Sequence, residues 1–189
     1  MSLKINKLEI GYYAYPENNE RRFELSILGY FLHLFRGTVE LMEVGAVSPY
    51  YYAVNHEVYD ATERGAINKF AEDLDYTGRS LVSISTIEHI GKGDYGLKVN
   101  PYRCITALNK MLEATHYLIT FPIGYNTLLD AYVNSLIMRM DAEKIYTFHR
   151  DINNDWYLDS APNFSYKYNS PLPLGNGVCV ISNLKEFKE

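Results

Sequence analysis

Polar and titratable side chains follow an apolar stretch in the segment SISTIEHIGKGDYG, residues 83–96. Ser85 comes where the apolar run ends, and Glu88 and His89 follow it directly. Histidine exchanges a proton near neutral pH, so a histidine beside a carboxylate has the chemistry of a general base with a partner. We therefore select Ser85 as a binding candidate, and His89 and Glu88 as catalytic candidates. Two plainer roles stay open: Glu88 as an acceptor for backbone N–H groups, and His89 as a pocket wall.

A second polar stretch follows VELMEV, residues 39–44, which contains Glu43 and passes into Gly45, Ala46 and Ser48. A glycine at the end of a strand lets a ligand approach the backbone closely. We take these four residues as candidates for holding a cofactor. Gly45 is also explained as the glycine of a tight turn.

A third polar end belongs to HEVYD, residues 56–60, which finishes in Asp60, 17 positions after Glu43. An acid in this place can accept hydrogen bonds from both ribose hydroxyls of a nucleoside, or it can cap a following helix. Dinucleotides and S-adenosylmethionine share the ribose contact. A dinucleotide fingerprint carries three glycines for its pyrophosphate, whereas GAVSPYYY has one. The pattern therefore favours S-adenosylmethionine, which has no phosphate.

The hydrophobic pattern predicts the elements that would position these residues. Strands are expected at 39–44, 56–60, 80–85, 117–122, 144–150 and 178–184, and helices at 23–35, from residue 101, and at about 127–140. Asn100 is placed to cap the second helix, with Pro101 at its first position, and Asn126 to cap the third. Strands separated by helices indicate an α/β chain with a mostly parallel sheet and helices on both faces. Ligands of such sheets bind at the carboxyl ends of the strands.

Length and composition limit the domain organisation and the partners that can be expected. The 189 residues predict a single domain, with residues 1–37 as an N-terminal helical extension and 151–177, irregular and polar, as a candidate lid or substrate loop. A net charge of −5 with no block of basic residues speaks against a nucleic-acid partner. The basic pair Arg21 and Arg22 is interpreted as part of a solvated helix start. An exposed tyrosine-rich surface is compatible with a homodimer.

Neither a membrane span nor a metal site is predicted. No stretch approaches the ~20 apolar residues that cross a bilayer, and the first 15 residues lack the basic-then-apolar order of a signal peptide. Cys104 and Cys179 are isolated thiols without metal-ligand spacing. Their isolation favours a reducing, cytoplasmic setting.

Six stretches occur in order along the chain: EVGAVSPYY, HEVYDATERGAIN, AEDLDY, LVSISTIEHIG, ITFPIGYNTLLD and YNSPLPLGNGVCVI. Across about residues 38–184 they resemble a group of class I S-adenosylmethionine-dependent methyltransferase-like proteins, which tend to be encoded near surface-polysaccharide genes. The resemblance implies a Rossmann-like three-layer sandwich with a seven-stranded, mostly parallel sheet whose last strand is antiparallel.

The resemblance also implies roles for particular residues. Glu43 and Gly45 match the cofactor motif after the first strand, Asp60 matches the ribose acid, and Asp73 matches the acid near the adenine, a role for which Asp75 competes. Residues 85–89 match the block where the pocket meets the substrate. Methyltransferases of this class usually have more glycine after the first strand, where this chain has Ala46, Val47 and Ser48.

The function expected is methyl transfer from S-adenosylmethionine to a small-molecule or carbohydrate acceptor, aligned in line with the breaking C–S bond. The alternative is a non-catalytic binding module or scaffold of the same fold with a degenerate pocket. A short dehydrogenase is a further rival, which would require a pyrophosphate site.

Overall fold

The computed structural model of the protein describes residues 2–5, 8–17, 19–38, 40–137 and 144–185. In chain order the described elements are β1 (Ser2–Ile5), β2 (Leu8–Gly11), α1 (Glu20–Leu34), β3 (Leu41–Val44), β4 (Glu57–Tyr59), β5 (Ser80–Ile84), α2 (Arg103–Met111), β6 (His116–Pro122), α3 (Thr127–Leu136), β7 (Ile145–Arg150), β8 (Trp156–Leu158) and β9 (Gly177–Ser182). Residue 39 of the first expected strand and residues 138–140 of the third expected helix lie outside the described ranges. No helix within those ranges is long and apolar enough to cross a bilayer.

Seven strands form one sheet in the order β4-β3-β5-β6-β9-β7-β8, and β1 and β2 form a separate antiparallel hairpin. Strand β3 runs parallel to β4 and β5, and β5 runs parallel to β6. Strand β9 is antiparallel to both neighbours, and β8 is antiparallel to β7. The prediction of an α/β chain is confirmed. The sheet itself is mixed, because three of its pairings are parallel and three are antiparallel.

Helices cover both faces of this sheet. Helix α1 packs with Val82, Leu118 and Val180 on one face, while α2 and α3 pack on the other with alternate residues of the same strands, such as Leu81 and Ile119. Full burial of one aliphatic or aromatic side chain contributes about 1.5–3 kcal/mol, so the two apolar layers hold the strand ends rigidly.

Helix α1 is one of these layers rather than an extension of the domain. The ring of Phe23 lies 4.8 Å from Phe148 and stacks on Trp156 at 5.1 Å. The helix is apolar nearly all round, and this is explained by burial beneath the sheet. The β1–β2 hairpin precedes it, and such short strands paired with each other carry little signal in the sequence.

The two predicted helix caps have different outcomes. The side chain of Asn126 accepts a hydrogen bond from the backbone N–H of Leu129 at 3.2 Å, as expected of a cap. Asn100 and Pro101 were expected to start α2, but the helix begins at Arg103, and the residue before it makes no side-chain capping hydrogen bond. Asn100 instead donates its backbone N–H to the carbonyl of Gly91 at 2.8 Å, so tertiary contact sets the boundary.

The connection from β3 to β4 lacks the α-helix that usually joins two parallel strands. Parallel strands require a crossover of about a dozen residues or more, usually a helix. Here residues 45–56 make the crossover with only one short 3-10 turn, Ser48–Tyr50. The edge of the sheet at β4 therefore has no α-helix over it from this connection.

Candidate functional site

A cavity of about 260 Å³ lies at the carboxyl ends of β3, β4 and β5, and we call it the central cavity. Its walls are Gly45, Ala46 and Val47 after β3, Asp60, Thr62 and Glu63 after β4, Ser85, Thr86 and His89 after β5, together with Arg21, Tyr50, Tyr51 and Tyr95. Five of the sequence-predicted site residues are among them: Gly45, Ala46, Asp60, Ser85 and His89. Three polar segments from separate strands thus meet around one hollow.

Gly45 is required by backbone conformation and by space. Its φ is +86°, a region that side-chain-bearing residues adopt at a cost. A Cβ atom at this position would lie 1.8 Å from the hydroxyl oxygen of Thr86. The N–H of Gly45 also donates to the carbonyl of Tyr59 at 2.8 Å, which fixes the end of β3 against β4.

Glu43 supports this loop from beneath instead of lining the cavity. Its buried carboxylate accepts the N–H groups of Val47 at 2.9 Å and Ser48 at 2.7 Å, and also the hydroxyl of Ser48. The backbone N–H groups bind Oε1 of Glu43, and Nε2 of His56 lies 3.1 Å from Oε2. Glu43 and Ser48 were expected to contact a cofactor, and both expectations are wrong because their side chains bond to each other within the core. Their role is to hold the loop in shape.

Asp60 lines the cavity, and its Oδ1 accepts more hydrogen bonds than its Oδ2. Oδ1 accepts the N–H groups of Thr62 at 2.8 Å and Glu63 at 2.9 Å, while Oδ2 accepts that of Ala46 at 3.2 Å. Burial alone would raise the pKa of this carboxyl, but the three N–H groups outweigh burial and hold the pKa below its ordinary value. Asp60 is therefore ionised at neutral pH. Each carboxylate oxygen has two acceptor sites, so Oδ2 can take a further donor.

The chain bends sharply after β5. Ser85 has φ of +40°, a strained value for a serine, and strain of this kind clusters at functional sites. Its hydroxyl donates to Oε1 of Glu24 at 2.6 Å, and the hydroxyl of Thr120 donates to the same atom at 2.8 Å. Arg21 approaches the other oxygen of Glu24 at 3.5 Å. Burial raises the pKa of Glu24, although Arg21 and the two hydroxyls oppose that shift.

Glu88 is buried below this bend and does not reach the cavity. Its side chain is 1% exposed, and Oε2 has no hydrogen-bond partner. Burial raises the pKa of Glu88 well above its ordinary value, and the nearby Glu24 raises it further. Contrary to the expectation of a catalytic role, Glu88 does not line the central cavity, and its Oε1 lies 3.7 Å from Nε2 of His89 inside the protein. The sequence shows the acid beside His89 but not the inward direction of its side chain.

His89 is held by two residues that the sequence analysis did not select. Its Nδ1 lies 2.6 Å from Oδ2 of Asp94 and 3.2 Å from the hydroxyl of Tyr125, which itself donates to Asp94 at 3.1 Å. Burial would raise the pKa of Asp94, but the bonds from His89 and Tyr125 outweigh it and the pKa is lowered. Because an ionised carboxylate only accepts, the proton of the neutral imidazole is placed on Nδ1, and Nε2 carries the lone pair.

Asp73 does not belong to the site. It is the last, exposed residue of the 3-10 turn Ala71–Asp73, and its competitor Asp75 is exposed as well. Neither residue lines the central cavity. The expectation that Asp73 approaches an adenine is therefore wrong, because the chain between β4 and β5 carries this acid outward.

Arg21 is the cavity residue that sequence reasoning placed wrongly. It belongs to the first turn of α1, but its side chain is only 25% exposed and pairs with Glu24 one turn along. The spacing of three residues between Arg21 and Glu24 was a signal that the two could pair. Nothing in the sequence indicated that this turn faces the ends of β3 and β5.

The loop between β8 and β9 is anchored to the rest of the protein. The amide of Asn176 donates to the carbonyls of Lys167, Leu172 and Leu174, and Gly175 donates its N–H to Glu20 at 3.0 Å. None of residues 151–177, all of which are described, lines the central cavity. The segment expected as a lid or substrate loop therefore does not line this cavity, although Tyr168 packs edge-on against Tyr125, the partner of His89, at 5.1 Å.

Within the described ranges, no group of three or more His, Cys, Asp or Glu residues is arranged to hold a metal ion. The chain matches no protein-family model, and no curated protein or solved structure is significantly similar to it.

Proposed function

We propose that the protein is an S-adenosylmethionine-dependent methyltransferase that acts on a small-molecule or carbohydrate acceptor. The observation that carries the proposal is the meeting of the Gly45 loop, Asp60 and the Ser85–His89 bend around the central cavity. The parallel run β4-β3-β5-β6, with helices on both faces, supports a Rossmann-like origin of the fold.

The residues of the central cavity fit a nucleoside cofactor. The ionised carboxylate of Asp60 can accept a ribose hydroxyl at Oδ2, and hydrogen bonds to charged acceptors are the stronger ones. Gly45 allows the left-handed turn that brings the backbone of residues 45–47 to the cavity wall, where a side chain would clash with Thr86. Arg21, another wall residue, supplies a cation suited to the carboxylate of an amino-acid group.

The chemistry of the step divides between the cofactor and the protein. When bound, S-adenosylmethionine supplies a methyl carbon made electrophilic by its sulfonium. The protein aligns the acceptor with that carbon, and positioning of this kind supplies much of the acceleration. His89 takes the proton of a hydroxyl acceptor at Nε2, while Asp94 and Tyr125 keep the Nδ1 side of the ring in place.

Calorimetric titration with S-adenosylhomocysteine tests cofactor binding. We expect the wild-type chain to bind it, and Asp60→Asn to weaken binding by about tenfold or more, because a hydrogen bond to a charged group contributes about 1.5–3 kcal/mol. Asp73→Asn is the matched control, since it makes the same change on an exposed acid outside the cavity. The control should retain wild-type affinity. A wild-type protein that gives no heat at millimolar S-adenosylhomocysteine would refute the proposal.

A non-catalytic binding module of the same fold is the second candidate. The central cavity of about 260 Å³ lies just below the range of about 300–1,000 Å³ typical of small-molecule sites. Labelled methyl transfer to a panel of hydroxylated acceptors separates the two. The module is favoured if the wild-type chain binds S-adenosylhomocysteine but transfers no methyl group to any acceptor. In that case His89→Ala should bind S-adenosylhomocysteine as the wild type does.

A further inference from the structure

The central cavity alone is small for a whole nucleoside with an amino-acid tail. Two neighbouring spaces could receive the part that it does not hold. One is a slot of about 60 Å³ that shares only Thr86 with it and is lined in part by Val44, Ala61 and Leu97. The other is a groove of about 630 Å³ beside β4, which we call the edge groove and which shares Ala46, Tyr50 and Glu63 with the central cavity.

Size favours the edge groove. A volume of 60 Å³ corresponds to about two water molecules at about 30 Å³ each, and a fused two-ring base is far larger. The edge groove, at about 630 Å³, lies within the range of small-molecule sites. It exists because the crossover over residues 45–56 forms only a short 3-10 turn there.

The walls of the edge groove suit a flat, uncharged ring. Pro49, Val54, Val58 and Ala66 supply apolar surface, and Ile67 is 42% exposed beside them. Polar groups, among them those of His56 and Arg64, stand at the same groove. Such a mixture of apolar faces and a few polar groups is typical of sites for ring-shaped ligands.

A side-chain hydrogen bond joins two of the three residues that line both spaces. The hydroxyl of Tyr50 donates to Oε1 of Glu63 at 2.7 Å, and both residues line both spaces. Tyr50 is 65% exposed, so its ring can turn without leaving a buried gap. Breaking this bond exchanges it for bonds to water, which is a small change at the surface. The ribose acid Asp60 lies on the same side of the central cavity, three residues before Glu63.

We propose that the edge groove receives the adenine base of the cofactor, with the Tyr50 ring as one wall and the Tyr50–Glu63 hydrogen bond as a partition that opens on binding. This assignment rests on the proposed function. It is compatible with the position of Asp73, which is exposed and lines neither the edge groove nor the central cavity. The base then contacts the groove walls formed by Pro49 and Ile67 beside β4. The remainder of the cofactor extends through the central cavity toward Arg21.

A matched pair of variants tests the assignment. Ala66 and Ala61 are both partly exposed, and they line the edge groove and the slot respectively. Ala66→Phe fills the groove and should weaken S-adenosylhomocysteine binding by about tenfold or more, since base stacking is worth that much. Ala61→Phe fills the slot and should leave the affinity within about twofold, which is less than the effect of one good hydrogen bond.

Variants of Tyr50 provide a second test that does not depend on fitting a larger side chain. Tyr50→Ala removes the stacking wall at an exposed position and should weaken binding about tenfold. Tyr50→Phe keeps the ring and releases Glu63, so its affinity should equal that of the wild type or exceed it. Circular dichroism establishes that each variant is folded before titration.

The possible failures are distinguishable. A wild-type chain that does not bind S-adenosylhomocysteine refutes the proposed function, and the groove assignment falls with it. Wild-type binding that is lost in Ala61→Phe but kept in Ala66→Phe, or that changes equally in both, overturns the groove assignment alone. Tyr50→Ala with unchanged affinity overturns it as well.

Discussion

Asp130 gives the sharpest prediction, and that prediction does not depend on any function. It lies in the first turn of α3, where Oδ2 accepts the N–H of Gly124 at 2.9 Å and Oδ1 is buried without a hydrogen-bond partner. Burial raises the pKa of this carboxyl from 3.8 to about 6, against the opposing bond from Gly124. Asp130→Asn should keep the Gly124 bond through its amide oxygen and remove the charge.

The sign of the effect follows from proton binding. Between about pH 4 and pH 6 the folded chain holds a proton on Asp130 that the unfolded chain has released, so the free energy of unfolding falls as pH rises. A shift of about two pKa units corresponds to about 3 kcal/mol, lost in full above pH 6. We therefore expect the variant to match the wild type near pH 4 and to exceed it by about 2–3 kcal/mol at pH 7.5.

Urea unfolding followed by circular dichroism at pH 4, 5, 6 and 7.5 measures this difference. Asp73→Asn is the control, because it removes an exposed carboxylate and should follow the wild-type curve. The reasoning fails if Asp130→Asn and the wild type keep a constant difference in stability across the four pH values.

Three further predictions concern the site and its supports. Gly45→Ala should lower the free energy of unfolding by about 2–4 kcal/mol in urea, from left-handed strain and the clash with Thr86, and Thr86→Gly in the same chain should restore part of it; no restoration would contradict the clash. Asp94→Asn should reduce methyl transfer at least about tenfold and move the acidic limb of the pH–rate profile while S-adenosylhomocysteine affinity stays unchanged, whereas lost affinity would argue for a structural role. Asn126→Ala should cost about 1–2 kcal/mol in thermal unfolding through the lost cap of α3 and the lost amide bond to the carbonyl of Glu88, and Asn126→Ser should recover only the part due to the cap.

The sequence predicted those features that local chemistry decides. The cap at Asn126 is formed within three residues, and the strand ends at Gly45, Asp60 and Ser85 follow directly from apolar runs that stop at polar groups. These features were found because each is encoded in a short stretch. Strand β8, with three residues, and the β1–β2 hairpin escaped because so short a pattern has no clear period.

Side-chain direction is what the sequence could not provide. Glu43, Ser48 and Glu88 belong to the right segments, yet the fold turns their side chains inward, where they are buried away from the central cavity. Arg21 contributes to the site from a helix that only the tertiary fold brings near β5, whereas Asp94 lies in the loop after β5, five residues beyond His89. Their roles depend on packing between α1, β5 and the loop after it.

The buried carboxylate of Glu43 affects which substitutions the Gly45 loop can accept during evolution. The carboxylate accepts hydrogen bonds from the backbone N–H groups of residues 47 and 48. The conformation of the turn therefore depends on one buried acid instead of on several glycines. The backbone of residues 46–48 then needs no further glycine, although Ala46 still lines both spaces and Val47 packs against the α1 layer. A search that requires several glycines after the first strand would pass over a turn held in this way.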